Sequence, residues 1–592
     1  MLQELGSTLF QFVSVHATEA HLIVVGLIIA YYLVIYPFIL SPLRDVPGPY
    51  LHRISRFSAL NNQRTMTWVR KVDDLHKKYG NVVLLSPIEV SVNGEYKYLH
   101  DLYTKNLPKS KFYENFRNHG FKDNIFASLE NDRHIKYKKI VSNIYSKSSI
   151  FSKSNTARLN IVEKITNLVK AVYKSSVDAT EPDYINARSE RNIHGKGYKN
   201  SDWFNKSGRE KNLGIDVYSL FGSLACDVVS GFELGIENGT DLISRPEERH
   251  ILVSHREVAS MVFWTTLMPR FWDWVAGKRI LKAMETITRW QLNLYYNAET
   301  NSPKVIEGQN LTTLQTLNKA GLKGEYAYSF LTDNIFAGHE TTAIFLTYLC
   351  YEISRPINSF MQVKLKEELK STFGTPPNRQ TIIDDFETVD TLPYLNALIN
   401  EVGRVHTPIP GAEPRLVDKP YLVTAGNGKN ITIPKGTIIS SQPFSMHRLE
   451  NVFPDPNRFI PERWLKYEDE SESQFNQRIM KQSKFSMPFG KGIRMCLGMN
   501  IALIEMKLAV ANLYWKLSSQ IDNDWCDITQ YDSESANKVI ANVIETGFDF
   551  VGNNQTDEEK MVMYDSYTTR PYNDECWLRW IDDSDSDSDL HT

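Results

Sequence analysis

Residues 489–498 read Phe-Gly-Lys-Gly-Ile-Arg-Met-Cys-Leu-Gly, and this stretch restricts its surroundings more than any other in the chain. Its glycines at 490 and 492 let the backbone turn tightly and approach a flat ligand. Cys496 stands just ahead of an apolar run, Ile501 to Leu517, that predicts a helix. The helix start offers free N–H groups and a positive dipole end, which favour a thiolate over a thiol. Arg494 adds a cation able to hold an anionic group of the same ligand. Taken alone, the cysteine reads first as a buried free thiol behind a glycine loop; the weight lies in the whole ten-residue pattern.

A second stretch, Ala337-Gly338-His339-Glu340-Thr341-Thr342, falls within an apolar helix predicted over about Tyr328 to Ile353. Ala337, Gly338 and Thr341 share one helix face. Small residues there let a flat ligand come close, and Gly338 predicts a local distortion of the helix. Glu340 beside Thr341 supplies an acid and an alcohol, the parts needed for proton delivery. Farther on, Glu401 and Arg404 stand three apart on a helix and can pair. A buried version of that pair requires a further partner, and Arg463 in Pro461-Glu462-Arg463-Trp464 provides one.

These three stretches, in this order, resemble the cytochrome P-450 superfamily, over about Pro47 to Ile581. The resemblance implies a mainly α fold with a small β-rich part. It implies haem b, with Cys496 as the axial thiolate of its iron and Phe489, Gly490, Arg494 and Gly498 forming the loop around it. Ala337 and Gly338 take the dioxygen side, with Thr341 and Glu340 as catalytic residues. The 128–139 segment, with His134 and Lys138 on one helix face, is similar to the family helix that clamps a haem propionate, although Lys138 stands where arginine is usual. Arg415 resembles the strand arginine that reaches a propionate, and His447 lies where a propionate-side histidine is often found. Glu401, Arg404 and Arg463 resemble the family's structural triad.

By the same resemblance the activity is a monooxygenase reaction on a lipophilic substrate. Electrons come from NADPH through a separate cytochrome P-450 reductase, with cytochrome b5 as a further donor. A haem-thiolate isomerase or dehydratase would need no external electrons, and a haem sensor would need no oxygen-side motif. Basic residues around Lys481, Lys484 and Lys491 suit an acidic electron donor.

The rest of the chain supplies context. Residues 22–40 carry no charged side chain and are long enough for a bilayer core of roughly 30 Å. Arg44, Arg53, Arg56 and Arg64 follow the segment and no Lys or Arg precedes it, so the body is expected on the cytosolic side of the endoplasmic reticulum membrane. The expected organisation is an anchor segment, 1–43, a catalytic domain, 44–581, and an acidic disordered tail, 582–592. Residues 178–212 read as an inserted flexible loop. Val82–Leu85 and Glu89–Val92 predict two strands, and 421–423, 431–433 and 437–439 predict more. Aromatics at 263, 264, 271, 272 and 274 suggest a substrate roof or a membrane-facing surface. Residues 518–560 read as loosely organised, and 562–571 resembles the family's last hairpin, whose turn can project into the pocket. A net charge of -3 gives no case for nucleic acid, and five widely spaced cysteines argue against disulfides or a zinc site.

Overall fold

The computed structural model describes residues 20–178, 214–304, 310–523, 525–531, 544–546 and 555–583. The 178–212 insertion beyond Asp178 and the acidic tail beyond Asp583 lie outside the described residues.

Helix α1 (Ala20–Leu40) is long and apolar enough to cross a membrane, and almost all of its side chains are exposed. Strands β1 (Val82–Ser86) and β2 (Glu89–Val92) pair antiparallel, as the sequence predicts. They are followed by α2 (Asn131–Val141) and a two-residue strand, β3 (Ile215–Asp216). The Asp216 side chain then caps α3 (Val217–Leu234) by accepting from the Ser219 N–H. Helix α3 is apolar enough to span a bilayer, yet it is a core element: every residue except Val229 is buried. Next come α4 (Glu325–Ser354) and α5 (Pro393–Val405), whose proline at the first position needs no N–H partner. Strands β4 (Arg415–Leu416), β5 (Tyr421–Thr424), β6 (Asn430–Ile433) and β7 (Ile438–Ser440) precede α6 (Met499–Tyr514). The last strands are β8 (Leu517–Ile521), β9 (Ile544–Thr546), β10 (Met563–Ser566), β11 (Thr568–Pro571) and β12 (Trp577–Asp582).

Four small sheets result, ordered β1-β2-β7-β4, β3-β12-β8, β11-β10-β9 and β5-β6. Between them the helices form the main core, with α4 packed on α3, α5 and α6. From Thr342 to Ser354 every residue of α4 is buried, so this helix runs through the middle of the protein.

Two expectations are corrected here. Gly338 does not break α4, which is one continuous helix of 30 residues. The glycine serves close packing instead, because a Cβ there would come within 2.9 Å of the Val229 side chain on α3. Of the 518–560 region, expected to be loosely organised, residues 518–521 belong to a strand, while 524, 532–543 and 547–554 lie outside the described residues. Strand β8 pairs along its length with β12, from Leu517 opposite Asp582 to Ile521 opposite Leu578.

Glu401 on α5 joins Arg404 and Arg463, and all three are fully or almost fully buried. His447 belongs to this region rather than to a ligand site. Its Nε2 accepts from the Met487 N–H at 2.9 Å, so its Nδ1 carries the proton and donates to the Arg404 carbonyl at 3.0 Å.

Candidate active site

A cavity of about 250 Å³ lies between α4 and the 489–498 loop. The loop takes its shape from two glycines in the left-handed region, Gly490 (φ 69°) and Gly492 (φ 68°). A side chain at Gly492 would collide with the Tyr103 carbonyl, whose oxygen lies 2.1 Å from where a Cβ would stand. The Cys496 N–H donates to the Phe489 carbonyl at 2.8 Å, closing the loop and turning the sulfur toward the cavity. Phe489 in turn stacks on Phe345 of α4 with ring centres 5.7 Å apart, a contact worth ~0.5–1.5 kcal/mol beyond its area.

Cys496 is exposed only toward the cavity it lines, deep in the protein. Burial pushes its thiol up, opposed by the N–H groups of Gly498 and Met499 and by the charge of Lys138. The helix-start N–H groups are thus where the sequence places them.

Phe489, Gly490, Arg494, Cys496, Gly498, Arg415, His134, Lys138, Ala337 and Gly338 all line this one cavity, together with Thr341. Their manner of contact differs from expectation at α2. Lys138 donates to the carbonyls of Ile493 (2.8 Å) and Met495 (3.2 Å), and the His134 Nε2 meets the same Ile493 carbonyl at 3.0 Å. These two residues therefore clamp the cysteine loop through its backbone. Burial and the neighbouring Arg494 push His134 down to about 4, while its Nδ1 also faces a carbonyl, that of Ile125 at 3.1 Å.

The charge at the cavity's other end comes from Arg415, Arg494 and Lys109. Arg494 spends Nη1 and Nη2 on the carbonyls of Ser128 and Leu129. Arg415 reaches the Tyr113 hydroxyl at 3.2 Å and the Glu413 carboxylate at 3.2 Å. The Nε of each arginine is buried and has no hydrogen-bond partner among the described residues. Lys109, which no sequence pattern singles out, is buried beside them and donates to the Phe126 carbonyl at 2.7 Å. Burial, then Arg415 and Arg494, hold its ammonium well below the usual lysine range. Two arginines and a lysine thus face two acids, Glu413 and Asp333, and the two arginines lie close enough to Lys109 to lower it. A flat ligand with an anionic edge satisfies the orphaned Nε donors and relieves the repulsion, and a haem carries two such carboxylates.

Thr341 and Glu340 part company. The Thr341 hydroxyl donates to the Ala337 carbonyl at 2.7 Å and lines the cavity, so it offers the cavity an acceptor. Glu340 does not line it. Its Oε1 accepts from the buried Tyr218 hydroxyl at 2.7 Å, and its Oε2 lies 3.7 Å from the His339 Nε2. One position back along α4 is about 100° of rotation, which carries Glu340 to the α3 side. None of the five aromatics expected as a roof lines the cavity. Phe263 is buried elsewhere, while Phe271 and Trp274 are exposed. The hairpin turn does enter: Tyr567, between β10 and β11, lines the cavity.

The family model for cytochrome P450 matches residues 201–534. The cytochrome P450 monooxygenase orf2 of Aspergillus niger is 27% identical over 490 residues, 80% of this chain and 86% of that protein. The cytochrome P450 monooxygenase BOT1 of Botryotinia fuckeliana is 27% identical over 525 residues, 82% and 88% of the two chains. A third relative, hkm5 of Aspergillus hancockii, bears the same description at 25% identity over 514 residues. The chain belongs to the cytochrome P450 family. It is a P450 monooxygenase, of a family whose members hold haem iron through a thiolate.

Proposed function

We propose that this enzyme binds haem b with the Cys496 sulfur as axial ligand and oxidises a lipophilic substrate with electrons from NADPH, delivered by a separate reductase. The observation that carries this is the convergence on one cavity of Cys496, the unpartnered Nε donors of Arg415 and Arg494, and Thr341. Bound there, the haem supplies dioxygen activation, with one oxygen atom going to the substrate and the other to water.

The chain's own contribution is positional. Lys138 and His134 hold the carbonyls of the cysteine loop, and Arg415, Arg494 and Lys109 receive the carboxylates. Thr341 Oγ1, committed as a donor to Ala337, accepts a hydrogen bond from a water or a protonated oxygen in the cavity. Glu340 acts one shell away, holding protons in the Tyr218–His339 network.

Replacing Thr341 by alanine leaves the haem spectrum intact and lowers product per NADPH consumed. Loss of a positioned proton relay costs on the order of 10²–10⁴-fold in the dependent step, and water entering the vacated space keeps the loss near the lower figure. Equal coupling in the two proteins removes Thr341 from the reaction. Product without reductase overturns the NADPH-dependent route.

Helix α1, followed by Arg44, Arg53, Arg56 and Arg64, serves as a single-pass anchor in the endoplasmic reticulum membrane, with the catalytic part cytosolic. Protease added to sealed microsomes then removes the catalytic part, and its protection would reverse the orientation.

A further inference from the structure

The cavity contains a carboxyl that the chemistry above does not use. Asp333 lies on α4 four residues before Ala337 and eight before Thr341, so the three form one stripe along the helix. At 1.5 Å per residue, Asp333 stands roughly 6 Å along the axis from Ala337 and roughly 12 Å from Thr341. The carboxyl lines the cavity and makes no hydrogen bond among the described residues. Lys109 opposes the rise that burial gives its pKa, and Glu233, a second carboxyl of the same cavity, is raised by burial and also by Asp333.

Across from it stands the turn of the β10–β11 hairpin. Thr569 fastens this turn to the segment after α5, its N–H to the Pro408 carbonyl at 2.7 Å and its hydroxyl to the Thr407 carbonyl at 3.0 Å. Tyr567 at the turn adopts φ 75°, a backbone conformation costly for a bulky residue and sustained only by such anchoring. Its ring lies 5.2 Å from Phe116 and 6.1 Å from Phe112, and Phe116 in turn meets Phe126 at 5.1 Å. The Tyr567 hydroxyl likewise makes no hydrogen bond among the described residues. Tyr567 and Phe126, with Phe112 and Phe116 packed near them, therefore face a helix stripe across the cavity, and two polar heads there have no protein partner among the described residues.

Asp333 and Tyr567 are half-buried, and polar groups that face a cavity without a protein partner are matched there by a ligand or water. We propose, on the haem reading above, that Asp333 is the substrate-anchoring residue. It accepts a hydrogen bond from a hydroxyl or amine on an otherwise apolar, ring-compatible substrate, and it sets the oxidised carbon about one to two helical turns from that donor. Tyr567 flanks the same group. Carboxylate-bearing substrates are disfavoured by Asp333. The raised position of its own carboxyl, at about 7 through burial and opposed by Lys109, agrees with a site that a donor would hold ionised.

The test uses the full-length haem protein at mildly alkaline pH and three probes of one shape: 6-phenylhexan-1-ol, its methyl ether, and 6-phenylhexanoic acid. Spectral-shift titration of the wild type is expected to show the alcohol bound more tightly than the ether, on the order of tenfold, the size of a hydrogen bond to a charged acceptor. The acid binds weakest. Asp333→Leu is expected to erase or invert the alcohol–ether preference while the thiolate spectrum stays, and Asp333→Asn to keep part of it. A ratio unchanged in Asp333→Leu overturns the assignment, as does a wild type that prefers no alcohol over its ether or binds none of the three. Wild-type protein without a thiolate-type spectrum counts instead against the haem reading, and the anchor falls with it.

Discussion

Cys496→Ala abolishes the thiolate-type absorbance band of the reduced, carbon monoxide-treated protein and reduces NADPH-driven product formation to the level of free haem. No other residue can substitute. The remaining cysteines, 226, 350, 526 and 576, are buried away from the cavity. Burial raises the thiols of Cys226 and Cys576 as well, and neither stands at a loop that could deliver it to a ligand. The same spectra separate ligand from clamp. Lys109→Met keeps the thiolate band, because the loop and its glycines are untouched. It loses haem more readily on dilution, because one of three cations at the anionic edge is gone. A Cys496→Ala protein that retains the band would end the axial assignment. Equal haem retention in Lys109→Met would place Lys109 outside the haem contacts.

Much of this site was legible because its information is local. A glycine-framed cysteine before a helix, and small residues at i, i+1 and i+4, state their geometry in a few residues. Gly490, Cys496, Gly498, Ala337, Gly338 and Thr341 all line the cavity. What escaped is of two kinds. Lys109, Tyr113, Phe116 and Phe126 come from a stretch with little regular structure, whose convergence on Arg415 depends on contacts some 300 residues away in the chain. No periodicity marks them. Strand β8 escaped for a related reason: Leu517-Ser-Ser-Gln-Ile521 alternates weakly, and its partner β12 lies about 60 residues on. Asp333, by contrast, could have been found. It stands one turn before Ala337, and helical spacing alone puts it on the cavity face. The same angular argument, applied one residue the other way, moves Glu340 off that face.

The second large effect lies away from the chemistry. Glu401→Gln is expected to destabilise the folded protein by ~3–5 kcal/mol, the penalty for stripping one partner from a buried ion pair. Its carboxylate accepts five hydrogen bonds: from Arg404 Nη2 (2.7 Å) and Nε (2.9 Å), Arg463 Nε (3.0 Å), the Ile460 N–H (2.9 Å) and the Trp464 indole (2.9 Å). Arg404 spends its remaining donors on the carbonyls of His447, Pro456 and Arg458. All five N–H groups of that guanidinium are thus satisfied, which a lysine with three donors cannot reproduce. The 453–465 stretch has no regular sheet or long helix of its own, so these bonds fix its path and, through His447 and Met487, the approach to the cysteine loop. A glutamine keeps the shape but offers one oxygen and no charge, leaving two buried cations facing each other. The exposed pair Asp45–Lys429 gives the contrast: both side chains are about half exposed, and Asp45→Asn should cost under ~1 kcal/mol. Guanidinium midpoints of the two variants beside wild type decide the matter. A Glu401→Gln protein as stable as Asp45→Asn would mean that the network's desolvation cost cancels its attraction, and the triad would then direct the fold without stabilising it.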